Sequence, residues 1–147
     1  MSIFELIRNV ASDMTNAPSV GFGTFTEQNV KIDFEDGNVL YVEFRMPATL
    51  TLVNSGMHKI RYNVFAFFGQ QTATQDITDQ VQSQISFQLN QAIEFCERMN
   101  AYQVDYVKQA TILTPSFLPH FQKFDALFSG IALTCVIEVD KKSVACL

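Results

Sequence analysis

Few residues of this chain have both the type and the spacing that chemistry needs. His58 and His120 are the only histidines among 147 residues. Neither stands in an H-x-H or H-E-x-x-H arrangement, so a zinc site would need unlinked carboxylates or thiols. Cys96, Cys135 and Cys146 are an odd count without metal-like spacing. Cys96 falls in the middle of a helical pattern and Cys135 on the inward face of a strand pattern. They read as reduced thiols of a protein made in a cytoplasm. Asp33 and Glu35 share a strand face, a spacing that suits paired acid/base carboxylates, but the stronger reading is the wet face of an exposed hairpin. Gly21-Phe22-Gly23 lacks the rest of a dinucleotide fingerprint and reads as a strand entrance. Ser129-Gly130 lacks the earlier glycine of a nucleophile elbow. The expectation is therefore no enzyme, with no catalytic residue, cofactor or metal.

What remains is aromatic. Phe117, Phe121, Phe124 and Phe128 recur at i, i+4, i+7 and i+11, and Pro119 suits the first turn of a short helix there. Four rings with Leu118 and Leu127 make this connection more apolar than a solvated loop. Either the rings plug the domain's own core or some of them meet another subunit.

The elements that position these residues follow from periodicity. Ser2-Ile3-Phe4-Glu5 has the spacing of a capping box. Ile3, Phe4, Ile7, Val10 and Ala11 then repeat at helical spacing to about Asp13, and Asn16-Ala17-Pro18 ends the helix. VKIDFEDGNVLYVEFRM reads as a hairpin around a three-residue Asp36-Gly37-Asn38 loop. That register sets Val30 opposite Phe44, Ile32 opposite Val42, Phe34 opposite Leu40 and Lys31 opposite Glu43. Ile60 to Phe68 reads as a strand apolar on both faces beyond Asn63, hence central or covered by a partner. A helix over Gln80–Asn100 follows, capped by Thr78-Asp79. Its stripe is Val81, Ile85, Leu89, Ala92, Ile93, Cys96 and Met99, with Gln84, Gln88 and Gln91 largely away from it. A short strand over Ala110–Leu113 precedes the aromatic connection. The last strand alternates Ile131, Leu133, Cys135, Ile137 and Val139 on one face.

These patterns predict one α+β domain over residues 1–147: a mostly antiparallel sheet packed by one long helix, with an additional N-terminal helix. Hydrophobic residues make up 48% of the chain and charged residues 17%, with 14 Phe and a net charge of −5. So low a charged fraction leaves apolar surface for a partner. The acidic balance and scattered Lys/Arg argue against sequence-specific nucleic-acid binding. No run approaches the ~20 apolar residues that span a bilayer. The start, MSIFELIRNV, lacks the basic region and cleavage site of a signal peptide.

The order of elements resembles tail-terminator and tail-completion proteins of tailed bacteriophages, which form rings where the tail tube meets the neck or head. IRYNVFAFFGQ is similar to the family's aromatic-rich strand, and DITDQVQSQI is similar to the start of its long helix. FDALFSGIALTCVIEV resembles the Asp-x-Leu-x-x-Gly turn before the last strand. The resemblance implies a structural virion protein, made in the host cytoplasm and located in the tail or neck. It would assemble with itself, commonly as a hexamer, and with other tail or neck proteins. The residues expected at the assembly interface are Phe4 and Ile7 of the first helix and Phe117, Phe121, Phe124 and Phe128 of the connection. The other class of reading is a cytoplasmic oligomeric α+β domain that binds a small ligand or serves as an enzyme subunit.

Overall fold

The computed structural model describes residues 1–24, 37–45, 48–52, 58–71, 78–123 and 128–140, with the backbone alone at 71, 78–81, 121–123 and 128. Helix α1, Ile3–Ser12, opens on the expected capping box. The Glu5 backbone N–H donates to Ser2 Oγ at 3.2 Å, and the Ser2 N–H donates to Glu5 Oε2 at 3.2 Å. A Ser cap of this kind stabilises a helix by ~1 kcal/mol. Ile3, Leu6, Ile7, Val10 and Ala11 are buried on one stripe. Asn16 then reverses the chain in the left-handed region, at φ 58°.

The strands are β1 (Ser19–Phe22), β2 (Asn38–Phe44), β3 (Thr49–Thr51), β4 (Lys59–Gln71), β7 (Ala110–Lys123) and β8 (Phe128–Asp140). They form one mixed sheet in the order β1-β2-β4-β8-β7, and β3 joins β4 on the same edge as β2. Among the described strands, only β1 and β2 pair in parallel. A small separate ribbon, β5 (Gln103–Val104) with β6 (Val107–Lys108), links the long helix to β7. The two-faced strand β4 is central, as its composition predicts. It pairs without interruption from Lys59↔Asp140 to Gln71↔Phe128 with β8.

Two sequence expectations are overturned in the sheet. Leu40 pairs with Val20 on one edge and Phe68 on the other, and Val42 with Phe22 and Ala66. Those neighbours replace the expected Phe34 and Ile32, and residues 30–35 lie outside the described residues. Distant partners with matching apolar faces have won over the local turn. Nor does Pro119 open the expected short helix over the described residues, which run to 123. β7 runs through Phe117 and Pro119 as a strand on β8, with register shifts at Leu113/Ser116 and His120/Lys123. As the last strand of the sheet among the described residues, β7 tolerates prolines that donate no ladder bond.

Helix α2, Thr78–Ala101, is 24 residues long, about 36 Å at ~1.5 Å per residue. Both helices pack on one face of the sheet. That core joins Leu40 and Val42, Ile60 to Phe68 in alternation, and Ile131 to Val139 in alternation with the α1 stripe and Ala92, Phe95, Cys96 and Met99. Phe95 lies 5.5 Å from Phe68, ring centre to ring centre. The buried face of α2 is rotated from the expected one. Gln84, Gln88 and Gln91 are buried, Ile85 and Leu89 are half-buried, and Ile93 is exposed.

Candidate functional site

Of the predicted interface residues, Phe4, Ile7 and Phe117 have described side chains, and each packs in or against the domain's own core. Ile7 has no exposed area and lies in the α1 stripe of the core. Phe4 is half-buried, with its ring 4.8 Å from Phe22 and 5.5 Å from Phe44 in edge-on contacts. Both residues serve the domain's own packing, because α1 lays its apolar stripe on the β1–β2 side of the sheet. Phe117 is half-buried against the same core, opposite Leu133. Phe121 falls on β7 and Phe128 on β8, Phe128 paired with Gln71 and Lys123. Phe124, Asp33, Glu35 and Cys146 lie outside the described residues.

Among the described residues, the histidines are kept apart and the cysteine thiols are silenced. His58 immediately precedes β4, whereas His120 sits opposite Gly130, which pairs with Gly69 near the other end of β4. Ten or more residues of strand separate those rows, roughly 30 Å or more. The His120 ring stands edge-on to Phe67 at 6.2 Å. Burial pushes the Cys96 thiol up to about 11 and the Cys135 thiol up to about 12. Both are buried free cysteines, protonated at neutral pH and poor nucleophiles. Among the described residues, no three His, Cys, Asp or Glu side chains gather as a metal site. No helix described is long and apolar enough to cross a membrane.

Two features that sequence reasoning missed are polar. Gln88, 1% exposed, donates through Nε2 to Asn38 Oδ1 at 3.0 Å and to Gln70 Oε1 at 3.1 Å. One amide thereby ties α2 to β2 and β4. Gln91 donates to the Asn16 carbonyl at 2.9 Å, while the Thr15 N–H donates to Glu94 Oε1 at 2.9 Å. Burial raises the Glu94 pKa, but the Thr15 bonds and Arg98 outweigh it and leave the carboxyl below its usual range. These bonds lock the chain after α1 onto α2.

The resembling motifs meet near one end of the β4–β8 pair. Gly69 of the Phe-Phe-Gly stretch pairs with Gly130 of Phe-Ser-Gly. A Cβ at Gly130 would strike the Phe68 carbonyl oxygen and the Gly69 Cα, and one at Gly69 would strike the Phe67 ring. Only glycines allow the two backbones this approach, with the Phe67 ring lying over the gap.

The exposed surface carries apolar groups in separate places. On β3 and just past it, Leu50 and Leu52 are exposed, Leu52 by 70%. Leu50 pairs with Ile60 and so shares the helix side of the sheet, while Thr49 and Thr51 pair with Arg61 and Lys59. Those two cations share the Glu138 carboxylate, at 2.8 Å from Arg61 and 3.4 Å from Lys59. The Arg61 hydrogen bond, helped by Lys59, holds the Glu138 carboxyl below its usual range against a smaller effect of burial.

The second patch is the tip of the β5–β6 ribbon. Asp105 and Tyr106 form its two-residue turn with φ 51° and 64°. Such a turn favours Asn or Gly. A bulky residue in the left-handed region costs roughly 1–2 kcal/mol. Tyr106 nevertheless occupies it with 97% of its surface exposed, flanked by exposed Val104 and Val107. Both patches lie at the same end of the sheet, because Leu50, Ile60, Val139 and Ala110 form one cross-strand row and the ribbon precedes Ala110. Three strand spacings separate β3 from β7, about 14 Å. The outer edge of β7 is a poor template for strand addition, since it carries Pro115, Pro119 and a bulge at Thr114, where φ is 48°.

No protein-family model matches the chain, and no curated protein sequence matches it significantly.

Proposed function

We propose that this chain is a structural virion protein of a tailed bacteriophage, assembling into a ring at the tail or neck as a tail terminator or head–tail joining piece. The phage assignment rests on the resemblance carried by IRYNVFAFFGQ and FDALFSGIALTCVIEV, whose glycines pair in the sheet. The observation that carries ring assembly is the presence of two non-equivalent exposed apolar patches, Leu50/Leu52 and Val104/Tyr106/Val107. A closed ring is built from heterologous contacts, so each subunit must offer two different surfaces. Its partners are copies of itself, six by the resemblance, and neighbouring tail or neck proteins. The chain is made in the host cytoplasm and ends in the virion, and its role is mechanical rather than catalytic.

Native mass spectrometry tests this reading on the purified protein, alone and with purified tail tubes. A single closed stoichiometry is expected in at least the second setting. A chain that stays monomeric in both, and that turns over or tightly binds a metabolite, contradicts it.

A further inference from the structure

Resting on the ring reading, we propose that the β5–β6 ribbon of one copy seats on β3 of the next copy, with Tyr106 against Leu50 and Leu52 and Asp105 toward Lys59 and Arg61. The fit is one of chemistry as well as position. The ribbon tip presents an aromatic ring and a carboxylate side by side. β3 presents Leu50 on the helix side, while Lys59 and Arg61 pair with the alternate residues Thr51 and Thr49. Lys59 and Arg61 remain about half exposed, at 51% and 49%, while they share Glu138. An anion arriving from outside therefore finds cations that are not saturated on their solvent side.

The backbone adds a second argument. Tyr106 holds a left-handed conformation in a fully solvated turn, where glycine would sit without strain. Nothing in the protomer's own packing rewards an aromatic ring there. Strained residues cluster where a protein meets a ligand or partner, and a contact outside the protomer would give this exposed ring a use. Aromatic anchors also dominate the energetics of subunit contacts. The two patches lie at opposite edges of one end of the sheet, so ribbon-to-β3 contacts repeat head to tail and never pair a patch with itself. β7 does not compete as a strand-adding edge, because its prolines and bulge blunt it.

The test uses two variants of the full chain whose altered residues are exposed and therefore leave folding intact. Tyr106→Gly removes the anchor and keeps β3. The double variant Leu50→Ser, Leu52→Ser removes the seat and keeps the ribbon. Each alone is expected to self-associate at least about tenfold more weakly than the parent, as loss of a hot-spot residue does. Mixed one to one, they restore a single good junction, so native mass spectrometry shows a heterodimer that does not grow. Tyr106→Gly also melts at a higher temperature than the parent, because the strain is gone.

Self-association unchanged in either variant, or a mixture that forms no heterodimer, overturns the ribbon-to-β3 contact and leaves the ring reading standing. A parent protein that never self-associates, alone or with tail tubes, overturns both.

Discussion

Gln88 offers the sharpest check on how α2 sits on the sheet. Replacing it with Leu keeps the side-chain volume close to that of Gln but removes the donor that Asn38 Oδ1 and Gln70 Oε1 share. Two hydrogen bonds at a net ~1 kcal/mol each are lost. Asn38 and Gln70 are only half-buried, so water recovers part of their acceptor capacity, while the new Leu contributes some apolar burial. The balance is a loss of about 1.5–2 kcal/mol. For a domain of this length that lowers the melting temperature by roughly 3–8 °C. The control is Gln82→Leu, on the exposed side of the same helix, which stays within about 0.5 kcal/mol of the parent. Urea denaturation of both variants gives the two numbers side by side. A double-mutant cycle of Gln88→Leu with Asn38→Ala adds a coupling of ~0.5–1 kcal/mol. If Gln88→Leu and Gln82→Leu are equally neutral, the helix does not present Gln88 to the sheet and the rotation described above is wrong.

Three further outcomes follow from the same packing. Gly130→Ala destabilises at or above the top of the ~1–3 kcal/mol range for overpacking, because the added methyl meets backbone rather than a side chain that can swing away; a denaturation midpoint equal to the parent's would contradict the close approach at Gly69. The Glu138 carboxyl is held below its usual range, so its ion pairs with Arg61 and Lys59 stabilise the fold above the ordinary carboxylate pKa, and that contribution disappears as pH falls through the lowered value. Glu138→Gln therefore costs a few tenths to ~1 kcal/mol at pH 7 and nothing well below the carboxylate range, and an equal cost at both pH values, read from urea midpoints, would refute the assignment. Cys96 and Cys135, pushed up to about 11 and about 12, stay unlabelled by a thiol reagent at neutral pH until denaturant is added; rapid labelling of either residue in the folded protein, located by peptide mass, would show the core to be open there.

Local chemistry was legible from sequence where the interaction itself is local. The capping box at Ser2 and Glu5 lies within four residues, and the structure forms it. The alternation of Ile131 to Val139 and the two-faced character of β4 also survive, because side-chain period and burial coincide there. The glutamine face of α2 was hidden for the opposite reason. A buried amide looks polar in any pattern, and its partners Asn38 and Gln70 are 50 and 18 residues away. The Asp36-Gly37-Asn38 signal suggested a local hairpin, yet the partners described for β2 come from β1 and β4. The helical spacing of Phe117 and its neighbours was overridden by ladder bonds to β8 and by prolines that suit an edge strand.

For the candidate surface, an amphipathic stripe such as that of Phe4 and Ile7 carries the same signal whether it is buried in its own domain or in another. The Val104–Val107 turn carried only a weak signal. Asp-Tyr lacks the Asn-Gly or Asp-Gly signature, and its meaning appears only once both residues are seen at positive φ with Tyr106 in solvent.

Electron microscopy of the purified protein, alone and mixed with purified tail tubes, is the sharpest test of the proposed ring at a phage tail or neck. Closed rings of uniform diameter with a central opening are expected, free in solution or seated on the tube end. Tube ends that stay bare in a field of single particles of monomer size would contradict it.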